Sequence, residues 1–282
     1  MSVTKVWESI ITCKTETINF GFSDIYRYRD LLFLFVKRDF IAFYKQTILG
    51  PLWFFIQPLL MTLTYVFIFG RVANLSSDGS SYLLFYLCGI ITWTYFSDAV
   101  NQTSTTFTKN AQLFGKVYFP RIIAPLAVVI TNLLKLSIQL CLFGFILVIY
   151  LVKGEQVEPN ITILAYPLLV LVMGMLGLGI GLLVSSLTTK YRDLQFLIQF
   201  SVQLLMYAST LIFPLSSLEG KFRLIILCNP MSSIIETSRF MFLGTGSIPY
   251  YALLYTAVVS IVLFFFGIFV FNRTEKNFMD SV

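Results

Sequence analysis

The sequence predicts an all-α, polytopic membrane protein of six transmembrane helices, and three observations predict it. The first is composition: 57% of the 282 residues are hydrophobic and 12% charged, against roughly 45 to 50% and about 25% in a soluble domain. With a mean hydropathy of +0.82, the chain carries more apolar surface than a soluble core could hide. The second is spacing. Apolar runs lie near 52–70, 82–100, 128–152, 161–187, 194–214 and 250–272, each on the order of 20 residues, enough to cross about 30 Å of hydrocarbon at about 1.5 Å per residue. The third is charge asymmetry. Six spans place both termini on one side; fourteen of the 20 Lys and Arg fall there, five fall opposite, and Lys135 lies inside a span. The positive-inside bias makes the richer side the cytoplasm.

Taken in order, residues 1–26 are mixed and polar. They lack the basic start, short apolar stretch and small-residue cleavage site of a signal peptide, so a cytoplasmic extension is expected and the first span must direct insertion. Residues 28–46 are charged too often to cross. In helical projection Leu32, Phe33, Val36, Phe40, Phe43 and Tyr44 gather on one arc, with Lys37, Arg38 and Lys45 on the other, while Leu31, Leu34, Phe35 and Ile41 blur the division. That pattern predicts a basic amphipathic helix at the cytoplasmic membrane surface, either resting on anionic lipid or docking a partner. The partition is therefore an extension over 1–26, an amphipathic helix over 27–51, a transmembrane domain over 52–272 and a cytoplasmic tail over 273–282.

In the fourth span, Gly177 and Gly181 form a small-xxx-small pair that lets helix backbones approach closely. Residues 215–249 are too interrupted by Gly and Pro to span and too apolar to be a plain loop, which predicts an external segment dipping back into the membrane. Within it Asn229 reads as an N-cap with Pro230 at the first helical position. Met231, Ile234, Ile235, Met241 and Phe242 then follow helical spacing to a stop at Gly244. Re-entrant backbone is tolerated at membrane depth only inside protein or beside a wet cavity, so this segment points to a pathway.

The chemistry is sparse. There is no histidine, and Cys13, Cys88, Cys141 and Cys228 have no CxxC spacing, which argues against zinc or redox centres. Acidic residues are few and dispersed, so no catalytic residue and no bound metal are expected. No GxxxxGK[ST] loop occurs; if ATP drives this protein, another chain must supply the phosphate cradle. Lys135 sits where a cation is costly, either beside a cavity or partner or snorkelling to the interface, and Asp98 is either a helix-end residue or a pathway group. Tyr65 and Trp93 stand among the aromatics of the first two spans, which serve as interface belt and packing or offer flat faces to a sugar.

Four strings carry more than hydropathy: YKQTILGPLWFFIQP at 44–58, KVYFPRIIAP at 116–125, KYRDLQ at 190–195 and NPMSSIIETSRF at 229–240. In this order they resemble the permease subunits of ABC exporters for lipid-linked polysaccharides, those of O-antigen, teichoic acid and capsule, from about Arg27 to the last span. The resemblance implies a homodimer in the bacterial inner membrane with two copies of a nucleotide-binding ATPase. ATP and Mg would sit on that partner and no cofactor on this chain. The cargo would be an undecaprenyl-diphosphate-linked glycan passing between the two permease copies, with no nucleic acid involved. It implies an ATPase interface at Lys37, Arg38, Lys45, Leu49 and Gly50 and at Tyr191, Arg192 and Asp193, and an external gate after Asn229. Lys109, Lys116 and Arg121 are the cytoplasmic cations suited to a diphosphate, with Lys116 and Arg121 expected to act together. Together with Lys135, Tyr65 and Trp93 they form the expected substrate-binding set. A related permease for a drug or small lipid, and a secondary transporter coupled through Asp98 and Lys135, stay open at this point.

Overall fold

The computed structural model describes residues 22–278 apart from positions 46, 115, 118 and 156. The expected N-terminal extension up to residue 21 and the end of the tail from 279 lie outside the described residues. The described chain is helical: α1 (Phe22–Arg27), α2 (Arg29–Tyr44), α3 (Trp53–Tyr65), α4 (Tyr82–Ser104), α5 (Thr106–Phe114), α6 (Ile123–Val152), α7 (Tyr166–Thr188), α8 (Leu194–Tyr207), α9 (Gly220–Cys228), α10 (Pro230–Leu243) and α11 (Tyr250–Phe278).

Five stretches are long and apolar enough to cross a membrane: Gly50–Val72, Tyr82–Ser104, Ile123–Val152, Ile161–Thr188 and Tyr250–Thr274. The sixth expected span, 194–214, is helical only over its first part. Its helix stops at Tyr207 after 14 residues, about 21 Å at helical rise and short of about 30 Å of hydrocarbon. Ser209 turns the chain there, its Oγ bonding the Met206 carbonyl at 2.6 Å and accepting from the Leu211 amide at 3.3 Å. A Ser side chain that bonds nearby backbone in this way competes with helix continuation.

Helix α4 is the axis of the bundle, its face buried from Leu84 to Ser104, while α3, α6 and α11 keep broad apolar surfaces exposed. α7 lies between α4 and α11, and glycine decides how closely. A Cβ at Gly177 would lie 2.8 Å from Ala99 Cβ, and one at Gly179 would lie 2.6 Å from the Leu263 carbonyl carbon. The small residues therefore serve two faces, the expected one against α4 and a second against α11.

α2 departs from its expected arc. Phe35 and Val36 are buried, whereas Phe33 is 66% exposed. The inward side chains meet Phe119, Ile122 and Ile123 at the start of α6, and Phe35 stands edge-on to Phe119 at 5.6 Å. Packing on a neighbouring helix thus selects Phe35, one of the residues that blurred the arc.

Residues 220–243 fold as a helical hairpin. α10 has the expected limits: the Asn229 side chain accepts from the Met231 amide at 3.1 Å, and Gly244 closes the helix with φ of 73°. A left-handed residue just past the last turn is the favoured place for glycine. Asn229 also donates to the carbonyls of Leu205 at 3.0 Å and Ala208 at 2.9 Å, and Ser233 and Thr256 join hydroxyls at 2.7 Å. Since Thr256 lies six residues into α11, the hairpin tip reaches about 9 Å along that helix. The other end of α10 returns to the α6–α7 connection, where the amides of Glu158 and Asn160 donate to Leu243 and Met241.

Candidate functional site

Two polar regions stand out, at opposite ends of α4. At the Ser104 end, a cavity of about 470 Å³ opens between α2, α5 and α6, lined by Arg38, Asp39, Ala42, Phe43, Gln102, Thr106, Lys109, Asn110, Val128 and Thr131. α4 stops at Ser104 and α5 restarts at Thr106, so the chain turns at the floor of the cavity and sends Lys109 and Asn110 up one wall. Arg38 and Asp39 come from the opposite wall, with Arg38 Nε donating to Asp39 Oδ1 at 2.8 Å and its guanidinium 4.6 Å from the Phe35 ring. Two cations against one carboxylate leave the lining net positive. Ala42, Phe43 and Val128 make its remaining wall apolar.

Behind the cavity, polar groups continue along the α4–α6 seam. Asn132 Nδ2 donates to Gln102 Oε1 at 3.3 Å, and Lys135 Nζ meets Asp98 Oδ2 at 2.6 Å. Lys135, about 9% exposed, is not alone: its partner is Asp98, the other residue singled out within the spans. Five of the eight buried side-chain polar atoms lacking a hydrogen bond among the described residues lie around this end of α4, on Asn101, Thr106 and Asn132 and, towards α7, on Thr103 and Ser185. Buried polar groups in native proteins are overwhelmingly partnered, so this concentration marks a place built for something polar.

At the other end of α4 lies Arg239 of α10, 2% exposed. Its Nε donates to the Phe85 carbonyl at 3.3 Å, Nη1 to the Thr210 carbonyl and Nη2 to the Leu211 carbonyl at 2.8 Å. The guanidinium lies 3.5 Å from the Phe85 ring and 3.8 Å from Glu236 Oε2. One side chain therefore ties the hairpin to α4 and to the segment after α8. Nearby, Tyr86 donates to the Ile212 carbonyl at 3.2 Å, and Ser216 hydrogen-bonds Asp78. In the sequence Arg239 is one of the five cations on the poorer side and carries no expected role. The available signal was Glu236 and Arg239 at i,i+3 within an otherwise apolar and small-residue helix.

The expected binding residues disperse. Lys109 lines the cavity, while Lys116 is exposed on the turn after α5. Arg121 is buried, its guanidinium 5.5 Å from the Phe114 ring, so it and Lys116 face different surroundings. Trp93 is buried in the central core, edge-on to Phe96 at 5.5 Å. Tyr65 lies beside Tyr86 and bonds Met206 Sδ at 3.6 Å, joining α3 to α8. Lys37 and Lys45 are exposed; Leu49, also exposed, precedes Gly50, whose φ of 52° turns the chain into α3. Tyr191, Arg192 and Asp193 form an exposed corner between α7 and α8. Of the residues expected at an ATPase, only Arg38 lines the cavity, facing Lys109 from the expected substrate set.

Comparison with known proteins adds an independent line. Residues 30–243 match the family model described as ABC-2 type transporter. The O-antigen export system permease protein RfbA of Klebsiella pneumoniae is 29% identical over 253 residues, 89% of this chain and 94% of the relative. Its counterpart from Myxococcus xanthus is 28% identical over 261 residues, 92% and 98% of the two chains. The polysialic acid transport protein KpsM of Escherichia coli is 26% identical over 237 residues, 83% and 89%.

Proposed function

The chain belongs to the ABC-2 type transporter family, and from that premise we propose that it is the permease subunit of an ATP-driven exporter of lipid-linked polysaccharide. The observation that carries the reading is its end-to-end similarity to permeases of O-antigen and polysialic acid export. Two copies enclose the conduit in the bacterial inner membrane, and a glycan on undecaprenyl diphosphate passes between them. A separate ATPase, present twice, binds ATP and Mg, consistent with the missing GxxxxGK[ST] loop here.

Geometry supports a division of labour. Both termini lie in the cytoplasm, α8 with residues 208–214 completes the sixth crossing, and the α9–α10 hairpin closes the external mouth. α2 with the Leu49–Gly50 turn and the corner at Tyr191, Arg192 and Asp193 offer exposed side chains to the ATPase. Exposed aliphatic and aromatic side chains on the Gly50–Val72 stretch and on α8, among them Leu60, Phe67, Phe196 and Phe200, give the second copy a surface to meet.

The test is purification of the tagged chain in mild detergent. A stoichiometric co-purifying ATPase with a Walker-type loop, and loss of surface polysaccharide when this chain is deleted, are the expected results. A folded preparation that holds no ATPase, with surface polysaccharide intact in the deletion strain, overturns the reading.

A further inference from the structure

We infer that the cavity between α2, α5 and α6 is a binding site for the phosphate headgroup of an anionic lipid, with Lys109 as its principal cationic contact. Where that lipid is the export cargo, the inference rests on the reading above; the site chemistry itself does not. The lining is amphiphilic in the way a lipid phosphate requires. Lys109 and Arg38 both line the cavity, Gln102 and Asn110 supply neutral amides, and Ala42, Phe43 and Val128 provide an apolar flank for the first carbons of a chain. Arg38 already donates through Nε to Asp39, whereas Lys109 has no ion-pair partner among the described residues, which makes it the cation to engage a phosphate. Such contacts are charge-assisted and stronger than neutral hydrogen bonds.

A second observation points into the same space. Thr106 is 1% exposed, lines the cavity, and its Oγ has no hydrogen-bond partner among the described residues. One step behind, Asn132, also 1% exposed, keeps Oδ1 unpartnered while its amide nitrogen holds Gln102 by Oε1. That bond leaves the Gln102 NH2 as a donor at the wall. An amide donor and an ammonium therefore meet at a cavity whose lining has one net positive charge, with the Thr106 hydroxyl just beneath its wall, which suits a phosphate better than an acidic peptide needing its backbone paired.

The experiment uses full-length protein in detergent and native mass spectrometry with two probes, undecaprenyl diphosphate and phosphatidylglycerol. Lys109→Ala and Lys109→Glu are compared with wild type and with Lys153→Ala, a matched charge loss on the opposite side of the bundle. Lys109→Ala is expected to weaken binding of at least one probe by about tenfold, Lys109→Glu by more, and Lys153→Ala not at all. Thr106→Val separates binding from folding: removing an unpartnered buried hydroxyl leaves thermal stability unchanged or raised, yet weakens the same probe. Preference for undecaprenyl diphosphate identifies a cargo site, and equal or stronger binding of phosphatidylglycerol identifies a bilayer-lipid site; both support the assignment. Probe binding unmoved by all three cavity variants in folded protein overturns it. If the site binds but no ATPase co-purifies and surface polysaccharide survives deletion, the cavity assignment stands and the exporter reading falls.

Discussion

The two ends of α4 differ in how their buried polar groups are partnered, although Ser232 Oγ and Glu236 Oε2 at the hairpin end also lack a hydrogen bond among the described residues. At the hairpin end, Arg239 is almost wholly excluded from solvent, and each of its three nitrogens donates to a main-chain carbonyl, across two other segments of the chain. At the Ser104 end, five side chains carry atoms without a hydrogen bond among the described residues, and one of them, Thr106, lines a cavity. A saturated group is architecture, because its bonds are internal and breaking them leaves several partners stranded. An unsaturated group beside a cavity is a standing offer to something that comes and goes.

The largest effect that sharpens the contrast is at Arg239. Arg239→Met strands the carbonyls of Phe85, Thr210 and Leu211 and leaves the Glu236 carboxylate without its cation, a loss on the order of 3 to 5 kcal/mol for breaking a buried pair. Thermal denaturation in detergent should show a large drop in midpoint or too little folded protein to measure. A wild-type midpoint would break the comparison. Asp98→Asn comes next: the pair with Lys135 is partly open, with side-chain exposures of 26% and 11%, so the cost should be about 1 to 3 kcal/mol. Asp98→Asn combined with Lys135→Met should recover part of the midpoint, because the stranded charge is then gone. The smallest effect is expected at the Ser104 end itself. Ser185→Ala deletes a fully buried, unpartnered Oγ and should leave the midpoint unchanged or slightly raised; a loss above about 1 kcal/mol would mean that this hydroxyl is structurally engaged after all.

These two ends were unequally legible in the sequence. Helix α10 could be read to the residue, because Asn229, Pro230 and Gly244 act through local backbone geometry that needs no neighbours. Five spans were legible from apolar length, and Gly177 and Gly181 from their spacing. The short α8 was not: composition stays apolar through 194–214, and only the turn at Ser209 ends the helix. The ion pair was half legible. Lys135 and Asp98 each stood out as charged groups in apolar runs, but 37 residues separate them, and no local rule pairs positions that far apart. Lys109 was picked for its charge, whereas Thr106, Gln102 and Arg38 became its companions only when α2 folded back onto α6.

What the sequence alone determined is the solvent of each segment and the local stops and starts of its helices. Hydropathy and capping act over one to twenty residues, and the chain carries that information in contiguous form. What the tertiary structure decided is which polar groups are answered. Arg239 is partnered through all three nitrogens because the segment after α8 turns back and presents the carbonyls of residues 210 and 211 to it, while the Thr106 hydroxyl finds no partner among the described residues where α2, α5 and α6 meet around a cavity. Partnering of buried polar atoms depends on elements far apart in the chain, and a one-dimensional pattern does not contain those distances.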